Sequence, residues 1–151
     1  MANIDLITIK KLRDETSASI ADCRRALDEA NGDYKKALEW LKKRASEIAA
    51  KKADRETGEG LIEAYIHGAG KVGVLVALLC ETDFVAKTDE FKKLAKEVAM
   101  QIAAMHPEDV DSLLKQEYIR DSSQTIEQLI KGVIGKLGEN ITIKQFVRFE
   151  L

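Results

Sequence analysis

A chain of 151 residues, 45% hydrophobic and 33% charged, can pack a core under a well-solvated surface and is not composed like a disordered protein; its net charge of −2 gives no broad electrostatic ground for binding nucleic acid. The longest apolar run, Val72 to Cys80, is far shorter than the ~20 residues that cross a bilayer, so no membrane span is expected. Cys23 and Cys80 read as reduced, buried thiols, and Met1-Ala2-Asn3-Ile4-Asp5 has no basic cluster leading into an apolar stretch, which predicts a cytoplasmic protein without a secretory signal.

In chain order, Ile9 and Leu12 mark a short helix that exposes Lys10, Lys11, Arg13 and Asp14 and ends near Thr16. A second helix places Ile20, Cys23, Ala26, Leu27 and Ala30 at spacings of three and four, with Asn31-Gly32 as its left-handed ending. Asp33 caps a third helix that buries Tyr34, Ala37, Leu38 and Leu41, with Trp40 to one side. These three helices fill residues 1–45 as one small domain. Residues 46–57, rich in Lys, Arg, Ala and Glu, read as a solvated helical linker, and Glu47, Asp54 and Glu56 dilute its charge too far for a nucleic-acid surface.

The pattern changes after Gly58 and Gly60, opening a third unit over residues 58–151. Leu61 to His67 reads as a strand, Gly68-Ala69-Gly70-Lys71 as a turn, and Val72 to Cys80 as the returning strand. Because Val74, Val76 and Leu78 alternate with Leu75, Ala77 and Leu79, both faces of this strand are apolar and it belongs at the centre of a sheet. Its other neighbour is the carboxyl end, where Ile141, Ile143, Val147 and Phe149 alternate with Thr142, Lys144, Phe146 and Arg148. One helix begins near Thr88 and aligns Phe91, Leu94, Ala95, Val98, Ala99 and Ile102 before Pro107. Another follows Ser122-Ser123 with Ile126, Leu129, Ile130, Val133, Ile134 and Leu137 and stops at Gly138; both stripes should cover the sheet, with a weaker helix over Val110 to Glu117 between them. The fold class is α+β: three helices, then a three-stranded antiparallel sheet packed with helices.

Material for covalent chemistry is thin. His67 and His106 have no ligand partner at usable spacing, and there is no CxxC, HExxH or phosphate loop. Cys80 ends an apolar strand and reads as core, and no cofactor or metal is implied. The distinctive local feature is Glu81-Thr82-Asp83-Phe84-Val85-Ala86-Lys87, an aromatic beside a carboxylate at an abrupt strand-to-helix turn. Thr82 or Asp83 can cap a short helix there, with Phe84 packed inward or left free as a wedge.

Several segments together resemble the elongation factor Ts family, the guanine-nucleotide exchange factors of elongation factor Tu. Leu12-Arg13-Asp14-Glu15-Thr16, Asp22-Cys23-Arg24-Arg25-Ala26-Leu27 and Ala30-Asn31-Gly32-Asp33 are similar to its amino-terminal motif, Thr82-Asp83-Phe84-Val85-Ala86-Lys87 to its core motif, and Ile134-Gly135-Lys136-Leu137-Gly138-Glu139-Asn140-Ile141 to a third. The resemblance implies a ubiquitin-associated-like helical domain that docks on the GTPase domain of elongation factor Tu through Leu12, Arg13, Ile20 and Arg24. It further implies that Thr82, Asp83, Phe84 and Val85 disturb that partner's magnesium and phosphate site, which makes the protein an exchange factor and not an enzyme. Ser17-Ala18-Ser19 stands where the family usually has Gly-Ala-Gly. Longer members also carry a second core copy and a helical hairpin, whose lack here implies a homodimer. The rival readings are a helical module for ubiquitin-like or nascent-chain partners and a thiol enzyme built on Cys80.

Overall fold

The computed structural model describes residues 4–151. Met1 to Asn3, on which the reading of no secretory signal partly rests, lie outside them. Among the described residues no helix is long and apolar enough to cross a membrane.

Helix α1 (Leu6–Thr16) starts where the Asp5 carboxylate accepts the Ile7 N–H at 3.1 Å, and it turns Ile9 and Leu12 inward. Helix α2 (Ile20–Glu29) follows after three residues and adds Cys23, Ala26 and Leu27 to the same core. The glycine-free loop between them solves its two ends differently. Ser17 takes the left-handed conformation itself, at φ 57°, while Ser19 accepts the Asp22 N–H at 3.0 Å and caps α2, which glycine could not do with a side chain. Left-handed geometry costs an L-residue ~1–2 kcal/mol and glycine's greater freedom when unfolded offsets part of that, so Ser17→Gly should stabilise the protein by about 0.5–1 kcal/mol in a thermal melt.

Helix α3 (Tyr34–Lys52), capped by Asp33, is one unbroken rod that belongs to two cores. Ala37 and Leu41 close the core of α1 and α2, whereas Ala49 is buried in the larger one. Residues 46–52 therefore differ from a solvated linker. Ala45 lies so close to helix α7 (Ile126–Leu137) that a methyl group on Gly135 would stand 3.4 Å from its Cα and Cβ. Small side chains let the two helices approach, and their lack of bulk makes the stretch look solvated in the sequence.

Strands β1 (Glu59–His67) and β2 (Val72–Cys80) form an antiparallel hairpin, and β5 (Thr142–Glu150) pairs with the other edge of β2, giving the order β1-β2-β5. Val74, Val76, Leu78 and Cys80 point into the core, where helix α5 (Asp89–Met105) lies across β1 and β2 with Phe91, Ala95, Val98 and Ile102 fully buried. The second long helix, α7, packs chiefly along α3 rather than on the sheet.

The alternation of β5 differs from its simple reading. Leu78 faces Ile143 but Ala77 faces Gln145, so a bulge at Lys144 shifts the phase by one residue. Ile143 and Phe146 consequently share the inner face, and Val147 and Phe149 turn outward at 41% and 71% exposure. Arg148, also on the inner side, donates from Nε and Nη2 to the Ala103 carbonyl at 3.2 and 3.0 Å near the end of α5.

The segment between the long helices holds helix α6 (Val110–Lys115) and a second, two-stranded sheet of β3 (Glu117–Tyr118) and β4 (Asp121–Thr125) that periodicity did not show. Polar groups on α5 hold it. The buried Gln101 amide donates to the Gln116 side chain and the Glu117 carbonyl and accepts the Ile119 N–H, while buried Glu97 accepts the Tyr118 hydroxyl and pairs with Arg120 at 3.1 Å.

Candidate partner-binding site

The strand-to-helix turn after β2 is built between two caps. Thr82 leaves the strand at φ −125° and ψ 156°, and its hydroxyl accepts the Val85 N–H at 3.4 Å to start the four-residue helix α4 (Asp83–Ala86). Six residues after Thr82, Thr88 donates its hydroxyl to the Val85 carbonyl at 2.7 Å and accepts the Phe91 N–H at 3.2 Å, which ends one turn and opens α5. So short a helix has no stability of its own and depends on these bonds.

The turn divides its side chains sharply. Ala86 is buried and Val85 packs against the core, whereas Asp83 is exposed and Phe84 is 80% exposed. Phe91 already fills the core below, so the Phe84 ring projects from a fixed backbone into solvent. Asp83 is paired with Lys87 one turn on, at 3.1 Å, in the open. A cationic partner can take that carboxylate at little cost, because exposed ion pairs contribute little.

Behind the turn, Cys80 is fully buried and donates its thiol to the Thr82 carbonyl at 3.1 Å. Burial first, and the nearby Glu139 carboxylate second, push its pKa up to about 11. At neutral pH it is an inert thiol, which removes the physical basis for thiol chemistry there. Cys23 is likewise free, buried and raised by desolvation. Among the described residues no group of three or more metal-ligating side chains is placed to hold an ion.

The other sequence-selected residues lie on the helical unit, apart from the Phe84 turn. Arg13 and Arg24 are exposed, and Ile20 is 55% exposed at the start of α2 instead of joining the core stripe. Leu12 has no exposed surface: it fixes α1 on its neighbours and cannot itself meet a partner. Sequence reasoning passed over Leu6 and Ile7, at 79% and 75% exposure. With Ile9 and Leu12 inward, helical periodicity places Ile7 outward, and that signal was present. Arg13, Ser17 and Asp22 line an open cleft of about 1040 Å³, of mixed polar and apolar lining, between the helical unit and α5, α7 and β4.

A family model described as Elongation factor TS matches residues 81–151, beginning at this turn. The Elongation factor Ts of Thermoanaerobacter sp. (strain X514) is 43% identical, over an alignment that takes in 94% of this chain and 92% of the relative. The chain belongs to the elongation factor Ts family. The chloroplastic Elongation factor Ts of Guillardia theta is 45% identical over 95% of this chain and 87% of the relative, and that of a Nostoc species is 45% identical over all of this chain but 48% of the relative. As a member of this family the chain is a translation elongation factor. The Thermoanaerobacter alignment runs over 187 positions, more than the 151 residues here, so that relative carries stretches without counterpart in this chain.

Proposed function

We propose that this protein releases GDP from elongation factor Tu during translation elongation, by disturbing the magnesium and phosphate site of that GTPase with the turn Thr82, Asp83, Phe84 and Val85. The observation that carries the reading is Phe84: a large aromatic, 80% exposed, on a backbone fixed by caps at both ends and not needed by its own core. Exposed aromatics presented rigidly are typical interface anchors. Thr82 and Val85 hold the turn; Asp83 and Phe84 meet the partner.

The physics is that of linked equilibria. A protein that binds the nucleotide-poor form of its partner better than the GDP form weakens GDP binding by the same factor by which GDP weakens its own. No bond is made or broken, so the protein acts without a cofactor of its own and is not an enzyme. Residues 1–45 serve as the docking domain, through Arg13, Ile20 and Arg24 together with the exposed Leu6 and Ile7, while Leu12 keeps their helix in place. Residues 46–57 join it to the core of residues 58–151. No direct nucleic-acid contact is part of the mechanism, and the site of action is the cytoplasm, where translation proceeds.

The deciding experiment is the release of labelled GDP from elongation factor Tu with and without this chain. Acceleration supports exchange. Binding that is indifferent to GDP, without acceleration, would instead favour the helical unit as a module for ubiquitin-like or nascent-chain partners.

A homodimer also fits the outer face of the sheet. Ile66, Gly73 and Phe149 form one cross-strand row, and Ala64, Leu75 and Val147 the next. With Ile62, Ala77 and Gln145 as the third, these three rows carry no charged side chain, so a second copy can lie on them without like-charge repulsion. Light scattering at micromolar concentration should give twice 16.8 kDa, and Leu75→Lys should return it to the monomer mass; a wild-type monomer both free and on its partner counts against the dimer.

A further inference from the structure

The Phe84 turn is clasped from the far end of the chain. Beyond α7, Gly138 at φ 77° reverses the backbone and delivers Glu139 and Asn140 to the end of β2. There two acidic side chains are exchanged. The Glu139 carboxylate accepts the Thr82 N–H at 3.0 Å and the Thr82 hydroxyl at 2.7 Å, and the Glu81 carboxylate accepts the Asn140 N–H at 2.8 Å. The buried Asn140 side chain ties the clasp to the end of α3, donating to the Ala53 and Arg55 carbonyls at 3.3 and 2.9 Å.

The consequence turns on a single proton. A threonine hydroxyl has one hydrogen to give, and here it goes to Glu139, so the oxygen presents a lone pair to the Val85 N–H, the bond that starts α4. Bonds to an ionised acceptor are the stronger ones, which makes this orientation of the cap the favoured one.

Resting on the exchange reading above, we infer that Glu139 is a positioning residue: its carboxylate orders the Thr82 cap and thereby presents Phe84 to the partner in a preformed turn. Without it the turn must be ordered when the partner binds, and that ordering weakens the encounter. Asn140 and Glu81 keep the two segments in register, but only Glu139 touches the cap.

The test uses the full chain and reads two quantities. In the free protein, Glu139→Ala should speed hydrogen exchange of the Val85 amide about five- to tenfold, the usual scale of a lost helix cap, with Glu139→Gln closer to wild type because its carbonyl still accepts the Thr82 N–H. With elongation factor Tu, Glu139→Ala should raise the concentration giving half-maximal GDP release by a similar factor and leave the maximal rate nearly unchanged; in a Phe84→Ala background it should add almost nothing. Unchanged Val85 protection overturns the inference, and so does an equal further loss of GDP release in the Phe84→Ala background, which is what general damage to the fold would give. Should the wild-type chain release no GDP, the exchange reading fails by itself, and Val85 protection alone decides whether Glu139 orders the turn.

Discussion

Phe84→Ala should lower the efficiency of GDP release from elongation factor Tu at least about tenfold, while the melting midpoint moves by no more than about 2 °C. The two halves of this expectation have one cause. A phenylalanine lost from a core costs about 3–5 kcal/mol, but a ring 80% exposed has little burial to lose when the protein is alone. Its apolar surface is removed from water only against the partner, where an aromatic anchor commonly contributes about 2 kcal/mol or more, and ~1.4 kcal/mol is already tenfold. Melting and GDP release on the same variant separate the possibilities. A large fall in melting temperature would mean that the ring supports the fold, and unchanged release would mean that some other surface drives exchange.

Where periodicity and capping chemistry act locally, the fold was legible. The α5 stripe from Phe91 to Ile102, the place of β2 at the centre of the sheet and the stop of α7 at Gly138 all follow from spacing, burial and the freedom of glycine. The Phe84 turn was visible for the same reason, since an aromatic beside a carboxylate breaks the pattern on either side. What escaped depends on contacts between distant segments. Nothing near Lys144 marks a bulge, because whether β5 shifts phase is decided by its partner β2. Ile20 sits at a core-like spacing in α2, yet it occupies the first position of the helix and is exposed, outside the cluster that Cys23, Ala26 and Leu27 join. The small residues that let α3 meet α7 look like solvated helix until the opposing Gly135 is seen. The Glu139 clasp joins residues 57 apart in sequence, and neither of its ends shows a pattern pointing to the other.

Gly58 and Gly60 make the same point most sharply, because in the sequence they are equivalent markers of a change in pattern. Gly58 lies before β1 with open space around it: a methyl group there would meet nothing within 4 Å. Gly60 lies inside β1 opposite Leu79 with φ 153°, and a methyl group there would stand 2.1 Å from the Leu78 carbonyl oxygen and 2.8 Å from the Leu79 Cα. Both obstacles are backbone, so no side-chain rotation relieves them, and the hairpin must part at the end that leads through Cys80 to Thr82. Gly60→Ala should therefore destabilise the protein by about 3 kcal/mol or more and lower its melting midpoint by roughly 6–12 °C, whereas Gly58→Ala should stay within about 0.5 kcal/mol of wild type. Release of GDP should also fall in Gly60→Ala at temperatures where the protein is still folded, because the displaced strand end carries the Phe84 turn with it. That combination sets it apart from Phe84→Ala, which alters release alone. Equal melting of the two glycine variants would show that β1 and β2 can separate at Gly60 without cost, and the strand register would then not be what holds the turn in place.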